Sequence, residues 1–312
     1  MDQRTPVADL QPDEPTLARL AGHFTRHRRW FVLTGAGVST ASGIPDYRDR
    51  DGEWKRSPPM TAQRFLAEPQ GRARYWARSL LGWPRIDAAR PNAAHRALAR
   101  LDRLDRVTTL VTQNVDGLHQ RAGSSSVIDL HGRLESVVCL GCGARVPRAA
   151  LQRQLAELNA GWLRGLQAAL GVRLDGVLPG GPGHPDAASP TAPDGDVDLD
   201  HVTADYASFR VPDCASCGGT LKPDVVFFGE NVPRQPVADA LSALGSSDAM
   251  LVAGSSLMVF SGFRFAREAA ARRIPVVAIN LGRTRADDLL ADKFEMPCDA
   301  ALPALLQRIA VA

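Results

Sequence analysis

The sequence predicts an α/β protein: a parallel sheet with helices on both faces, into which a small metal-binding module is inserted. Three observations point there. Apolar runs of strand length alternate with segments of helical periodicity on either side of the chain's middle. The first run opens into a glycine turn, Leu33-Thr34-Gly35-Ala36-Gly37. Between the two α/β stretches stand two C-x-x-C pairs, Cys139/Cys142 and Cys214/Cys217, with 71 residues between the pairs. The boundaries that follow are 14–134 and 221–312 for a discontinuous sheet-forming domain and 135–220 for the insert.

In order, residues 14–28 read as a helix, with Leu17, Leu20, Ala21 and Phe24 at helical spacing. Residues 30–33 make the first strand, and 52–59 a punctuated loop. Residues 61–83 are helical and carry Phe65, Leu66, Tyr75, Trp76, Leu80 and Leu81. Asn92 caps a helix over 93–104. Residues 107–112 form a buried strand, and a shorter run at 127–130 ends in His131-Gly132. Residues 149–169 are helical. The stretch 178–200 is rich in Pro, Gly and Asp; its first part, 178–193, is expected to be mobile. Strands at 223–228, 249–253 and 275–279 then alternate with helices at 237–244, 263–272 and 300–310, and no internal repeat is present.

The chain has 312 residues, 45% hydrophobic and 23% charged, an ordinary globular composition. A formal charge of +3 demands no nucleic-acid partner. Residues 1–13 are polar and acidic and carry no signal or transit pattern. No apolar run is long enough to span a bilayer. A cytoplasmic location is expected, where five cysteines point to metal or thiol chemistry.

Strand, glycine turn and helix start is the layout of a dinucleotide phosphate site. Ser39, Thr40 and Ser42 can cap a helix or bond a phosphate. The third glycine of G-x-G-x-x-G is missing, because Thr40 stands there, and a plain tight turn would also explain Gly35 and Gly37. Gly43-Ile44-Pro45-Asp46-Tyr47-Arg48 is too polar and broken for a crossover helix and reads as a loop over a ligand. Polar residues also follow later strands: Gln113, Asn114 and Asp116, then His131, then Gly254-Ser255-Ser256. Open α/β sheets bind ligands at such strand ends. A lone histidine there more often only bonds a carbonyl, and His95 and His119 read as structural.

Each cysteine pair is followed by glycine, which suits a metal knuckle. Four thiolates make a closed, structural Zn²⁺ site with no open position for catalysis. Redox pairs or disulfides are the alternatives. A redox motif usually stands alone near a βαβ start, and disulfides do not suit a reducing compartment.

These motifs, taken together, resemble the sirtuins. The resemblance rests on G-A-G-V-S-T-A-S-G-I-P-D-Y-R at 35–48, T-Q-N-V-D-G-L-H at 112–119 and L-H-G at 130–132. It continues through the cysteine pairs, L-K-P-D-V-V-F-F-G-E at 221–230, G-S-S-L at 254–257 and Ile279-Asn280 ahead of Cys298. Details at 74–78, 82–84 and 192–197 resemble the class II, mitochondrial lipoamidase-like branch.

The resemblance implies a Rossmann-type domain plus a small zinc domain, with NAD and an acyl-lysine peptide meeting between them. It implies NAD contacts from Gly35, Ala36, Gly37, Ser39, Pro45, Asp46, Tyr47 and Arg48. Gln113, Asn114 and Asp116 would surround the nicotinamide end, with Asn114 catalytic, and His131 would be the general base. Gly254, Ser255 and Ser256 would hold phosphate and ribose. Asn280, Leu281 and Gly282 would take the adenosine ribose, and Cys298 would sit near adenine through its backbone. Val226, Phe227 and Gly229 would pair with the substrate peptide. The products would be free lysine, nicotinamide and O-acyl-ADP-ribose.

Tyr75 and Arg78 share a helix face. They are similar to a Tyr-x-x-Arg pair that binds an acyl carboxylate in the acidic-acyl branch, which implies longer or acidic acyl groups; a core tyrosine beside a surface arginine is the plainer reading. The aspartates at 194–200 do not match an EF-hand loop, and an active-site-facing or surface loop is expected. Mono-ADP-ribosyl transfer and a silent NAD or acyl-lysine binding module are the alternative activities. The oligomeric state is not legible.

Overall fold

The computed structural model describes residues 12–56, 59–170, 193–197 and 205–311. The stretch expected to be mobile, save Pro193, lies outside them, as do 198–200. In chain order the elements are α1 (Glu14–Arg26), β1 (Trp30–Thr34), two 3-10 turns (Ala36–Val38 and Thr40–Ser42), α2 (Ala62–Ala67), α3 (Pro69–Ala88), α4 (Ala93–Arg103), β2 (Val107–Thr112), α5 (Leu118–Arg121) and β3 (Val127–Asp129). The chain continues through β4 (Gly132–Cys139), β5 (Arg145–Pro147), α6 (Arg148–Leu158), α7 (Ala160–Leu170), β6 (Leu221–Val225), α8 (Arg234–Gly245), β7 (Ala249–Ala253), α9 (Phe260–Ala271), β8 (Val276–Ile279), β9 (Asp292–Phe294) and α10 (Cys298–Val311).

Six parallel strands form the large sheet in the order β3-β2-β1-β7-β8-β9. The order reverses between β1 and β7, as in doubly wound nucleotide-binding sheets, and a crevice opens at the carboxyl ends beside that reversal. All five residues of β1 are buried. Trp30 and Val32 face a core shared with α1, α4 and α10. Phe31 and Leu33 point the other way, into a core shared with α8 and α9. The pleat imposes that alternation. Burial on both faces is why such strands read as unbroken apolar runs.

The second sheet is small and antiparallel, in the order β5-β4-β6. Here the structure departs from expectation. The strand expected at 223–228 in the parallel sheet is β6, and it pairs with β4 instead. The reason lies in the cysteines: β4 ends at Cys139 and β6 begins four residues after Cys217, so joining the two knuckles lays the strands side by side. A third core fills the space between this sheet and α2, α3 and α6, with Phe65, Tyr75, Trp76, Leu80, Val137, Leu151 and Phe227.

The helix expected over 61–83 splits at Glu68, which is held extended at φ −134 and ψ 135. Pro69 forces this: its ring disfavours helical geometry in the residue before it, yet it opens a helix at no hydrogen-bond cost. The helix expected over 149–169 breaks at Asn159, whose side-chain amide donates to the carbonyls of Leu155 and Arg210. After the glycine turn no long helix forms. Two 3-10 turns follow, ended by Gly43 in the left-handed region at φ 83. Asn92 does cap α4, accepting from the amides of Ala94 and His95. No described helix is long and apolar enough to cross a membrane.

Candidate active site

The carboxyl ends of β1, β2, β3, β7 and β8 open into one cleft of about 1200 Å³, its mouth included. Of the residues singled out in the sequence, Gly35, Ala36, Gly37, Ser39, Asp46, Tyr47, Arg48, Gln113, Asn114, Asp116, His131, Val226, Phe227, Gly254, Ser255, Ser256, Asn280 and Leu281 line it.

Gly35 and Gly37 answer to a demand beyond approach by a ligand. A Cβ on either would lie 2.9 Å from the carbonyl oxygen of Gly254. The amide of Gly37 donates to that same oxygen at 2.9 Å. The turns after β1 and β7 are thus pressed backbone to backbone at the reversal, and only glycine leaves room.

A polar network ties the other strand ends together. Gln113 Nε2 donates to Ser255 Oγ at 2.7 Å, linking β2 to β7. Asn114 Nδ2 donates to Gly35 O at 3.0 Å and Ser39 Oγ at 3.1 Å. Ser39 in turn donates to Asp116 Oδ2 at 2.7 Å. Burial pushes the Asp116 carboxyl above its usual range, opposed by the Leu118 amide and the Ser39 hydroxyl. Arg48 donates to Gly52 O at 2.7 Å and lies 3.9 Å from the Trp54 ring centroid, so its guanidinium is held before any ligand arrives.

His131 sits just past β3. Its Nδ1 lies 2.9 Å from the carbonyl oxygen of Gln113. A carbonyl can only accept, so Nδ1 carries the proton and Nε2 is the basic nitrogen. Nε2 accepts from the Ser261 hydroxyl at 2.8 Å. Burial lowers the pKa of His131, and Arg264 adds to this, while the Gln113 bond opposes it. The imidazole is therefore a neutral base at pH 7.

Several expected site residues lie elsewhere. Pro45, Gly229, Gly282 and Cys298 do not line the cleft. Cys298 is packed in the core beneath β8, where burial pushes its thiol up to about 12. Gly282 is pressed against the Arg50 backbone, and Gly229 against the Gln63 side chain. The amide of Val226 is already taken by the carbonyl of His131 at 2.8 Å. Tyr75 is buried against Phe65, Trp76 and Phe227. Arg78 is no surface residue: it is 8% exposed, and its Nε donates to Asp196 at 2.6 Å. Sequence reasoning missed Ser261, whose partner lies 130 residues away. It also missed Trp54 and Asp194 as individual cleft residues; the expectation that the aspartate loop faces the site was the only signal.

The four sulfurs of Cys139, Cys142, Cys214 and Cys217 lie within 4.8 Å of one another. Cys139–Cys217 and Cys142–Cys214 are 3.5 and 3.9 Å apart. A tetrahedron with Zn–S bonds of about 2.3 Å needs sulfurs about 3.8 Å apart, whereas a disulfide needs about 2.0 Å. The Gly141 amide donates to Cys139 Sγ at 3.3 Å, and backbone donors, the Cys142 amide foremost, bring that thiol down to about 6. The four cysteines are positioned to bind one zinc ion, and they leave no coordination position open.

A reversed parallel sheet with its cleft at the switch point, joined to a thiolate-knuckle lobe, defines a nucleotide-binding protein with a structural metal site. The Sir2 family model matches residues 35–261. The chain is 58% identical over 281 residues to NAD-dependent protein deacetylase 2 of Bradyrhizobium diazoefficiens, covering 90% of this chain and 94% of that one. It is 54% identical over 282 residues to the NAD-dependent protein deacetylase of Xanthomonas campestris, covering 90% and 88%. A solved complex of a Sir2 protein with a p53 peptide and NAD+ superposes with a TM-score of 0.68 at 25% identity, covering 95% of this chain and 99% of that one. A Sir2 homologue bound to NAD gives 0.66 at 27%, covering 95% of each. The chain belongs to the Sir2 family, the sirtuins.

Proposed function

We propose that this chain is an NAD-dependent protein-lysine deacylase that releases nicotinamide and transfers the acyl group to ADP-ribose. The observation that carries the reading is His131 held in the cleft with Nδ1 protonated and Nε2 basic, beside Asn114 and the paired glycine turns. Relatives named NAD-dependent protein deacetylase, at 54–58% identity, support it.

NAD, when bound, supplies nicotinamide as leaving group and the sugar that receives the acyl group. The chain's own residues bind, orient and move a proton. Gly35, Ala36, Gly37 and Ser255–Ser256 would receive the phosphates and riboses at the reversal of strand order, where such sheets bind their ligands. Asn280 and Leu281 receive the far ribose. Gln113, Asn114 and Asp116 fix the nicotinamide end through the network that joins three strand ends. The amide oxygen of an acyl-lysine is a weak nucleophile, so holding it in place must supply much of the rate. The aromatic wall of Tyr47, Phe227 and Phe228 excludes water around it. His131 then takes a ribose hydroxyl proton on Nε2, as its neutral state allows.

The test is incubation with NAD and an acetyl-lysine peptide. Nicotinamide release matched by acyl loss is expected, with His131→Ala costing on the order of 10²–10⁴ in rate. Transfer of label from NAD to protein without acyl loss would point to ADP-ribosylation instead. Binding without turnover would make the chain a silent module.

A further inference from the structure

The described segment Pro193–Val197 enters the small-lobe core and reaches the cleft. Val197 is buried in that core. Gly82 on α3 has no room for a side chain, because a Cβ there would overlap the carbonyl of Gly195. The contact pins the segment against the helix that carries Tyr75 and Arg78. Asp194 lines the cleft together with Tyr47, Phe227 and Phe228. Asp196 receives Arg78 Nε at 2.6 Å, with the two side chains 14% and 10% exposed. Its own amide donates back to Asp194 Oδ1 at 3.3 Å.

Arg78 therefore stands one layer behind the wall of the cleft. Tyr75, one turn away on the same face, packs its ring 5.2 Å from that of Phe227, which lines the cleft. Asp196 holds the Arg78 guanidinium, and Asp194 beside it lines the cleft. Arg78 and Arg74 are the cations that act on Asp196, and the two carboxylates match them, which leaves no net positive charge to receive an incoming anion. Burial raises both carboxyls, and Arg78 opposes it.

Resting on the deacylase reading above, we propose that Asp194 and Asp196 determine acyl selectivity: by occupying Arg78 from within, they make the acyl end of the cleft a site for uncharged acyl groups and turn away acyl groups that end in a carboxylate. The sequence motif around Tyr75 and Arg78 would by itself imply the opposite preference. Its arginine is spent on an internal partner.

Freeing Arg78 should invert the selectivity. The experiment compares acetyl-lysine and glutaryl-lysine versions of one peptide on the wild-type chain, Asp196→Asn, Asp194→Asn and the double variant Asp194→Asn/Asp196→Asn. The ratio of kcat/KM values is read, and the ratio of peptide affinities is measured in parallel. The wild type is expected to favour acetyl. Asp196→Asn should shift the ratio toward glutaryl at least about tenfold, about 1.4 kcal/mol, and adding Arg78→Leu should cancel that shift. Asp194→Asn reports independently if Asp196→Asn does not fold. A wild type that favours glutaryl, or a ratio that no aspartate variant moves, overturns the proposal. Absence of NAD-dependent turnover on either peptide would refute the deacylase reading, while the affinity ratios still decide the selectivity.

Discussion

Acid should destabilise this fold from beneath the cleft, through His95. The imidazole of His95 is fully buried at the start of α4. Its ring lies 4.8 Å from that of His119, centroid to centroid and tilted by 52°, and its Nε2 lies 3.5 Å from Ser39 Oγ. Burial, with Arg121 and Arg96 nearby, lowers its pKa from 6.5 to about 4. A base whose folded pKa is depressed binds fewer protons folded than unfolded, so stability falls as pH falls from 6.5 toward 4 and is level above and below. The difference of about 2.5 units corresponds to roughly 3 kcal/mol. That is a large share of a typical stability of about 5–15 kcal/mol. His119, buried against β1 and β2, pulls the same way. Urea unfolding of the wild type and His95→Asn at pH 7.5 and pH 4.5 isolates the term, since carboxylate effects common to both cancel. The stability gap between the two should shrink, or change sign, by about 2–3 kcal/mol at the lower pH. Parallel pH dependences in the two proteins would refute the reasoning.

Three further outcomes follow. The purified chain should carry one zinc ion; Cys142→Ala or a strong chelator should unfold the small lobe, because zinc in thiolate sites is worth about 10–16 kcal/mol, and circular dichroism with metal analysis reads both. Arg148 is buried over Trp76 and Trp83, with Nε and Nη1 lacking partners among the described residues; Arg148→Met should leave unfolding free energy within about 1 kcal/mol of wild type or raise it, while Arg148→Ala should lose about 2–5 kcal/mol. Ser261→Ala removes the hydroxyl that occupies His131 Nε2, a bond of about 0.5–1.5 kcal/mol that must break before that nitrogen takes a proton, so kcat should hold or rise by up to roughly 13-fold with KM for NAD little changed, as steady-state kinetics would show.

The parallel sheet was legible because β1, β2, β7 and β8 are sandwiched between helix layers, and burial on both faces writes itself as a continuous apolar run. The strand-end residues then had only one edge on which to gather. The zinc quartet was legible because ligand spacing is a local property. β9, three residues of Asp-Lys-Phe, carries no local signal. The pairing of β6 with β4 was hidden, because an antiparallel partner is chosen by tertiary packing and by the knuckles, and an apolar run does not name its neighbour. The ion pair of Arg78 with Asp196, 118 residues apart, and the bond of Ser261 to His131 have the same character. Each residue looks unremarkable alone, and only the fold brings it to its partner.

Single-turnover stoichiometry tests the central claim most directly. The wild-type chain, in excess over an acetyl-lysine peptide and supplied with NAD, should yield nicotinamide and deacetylated peptide in equal amounts, with neither formed when NAD is withheld and both nearly lost in His131→Ala. Acetyl loss without NAD, or equal yields from His131→Ala at an undiminished rate, would contradict the account.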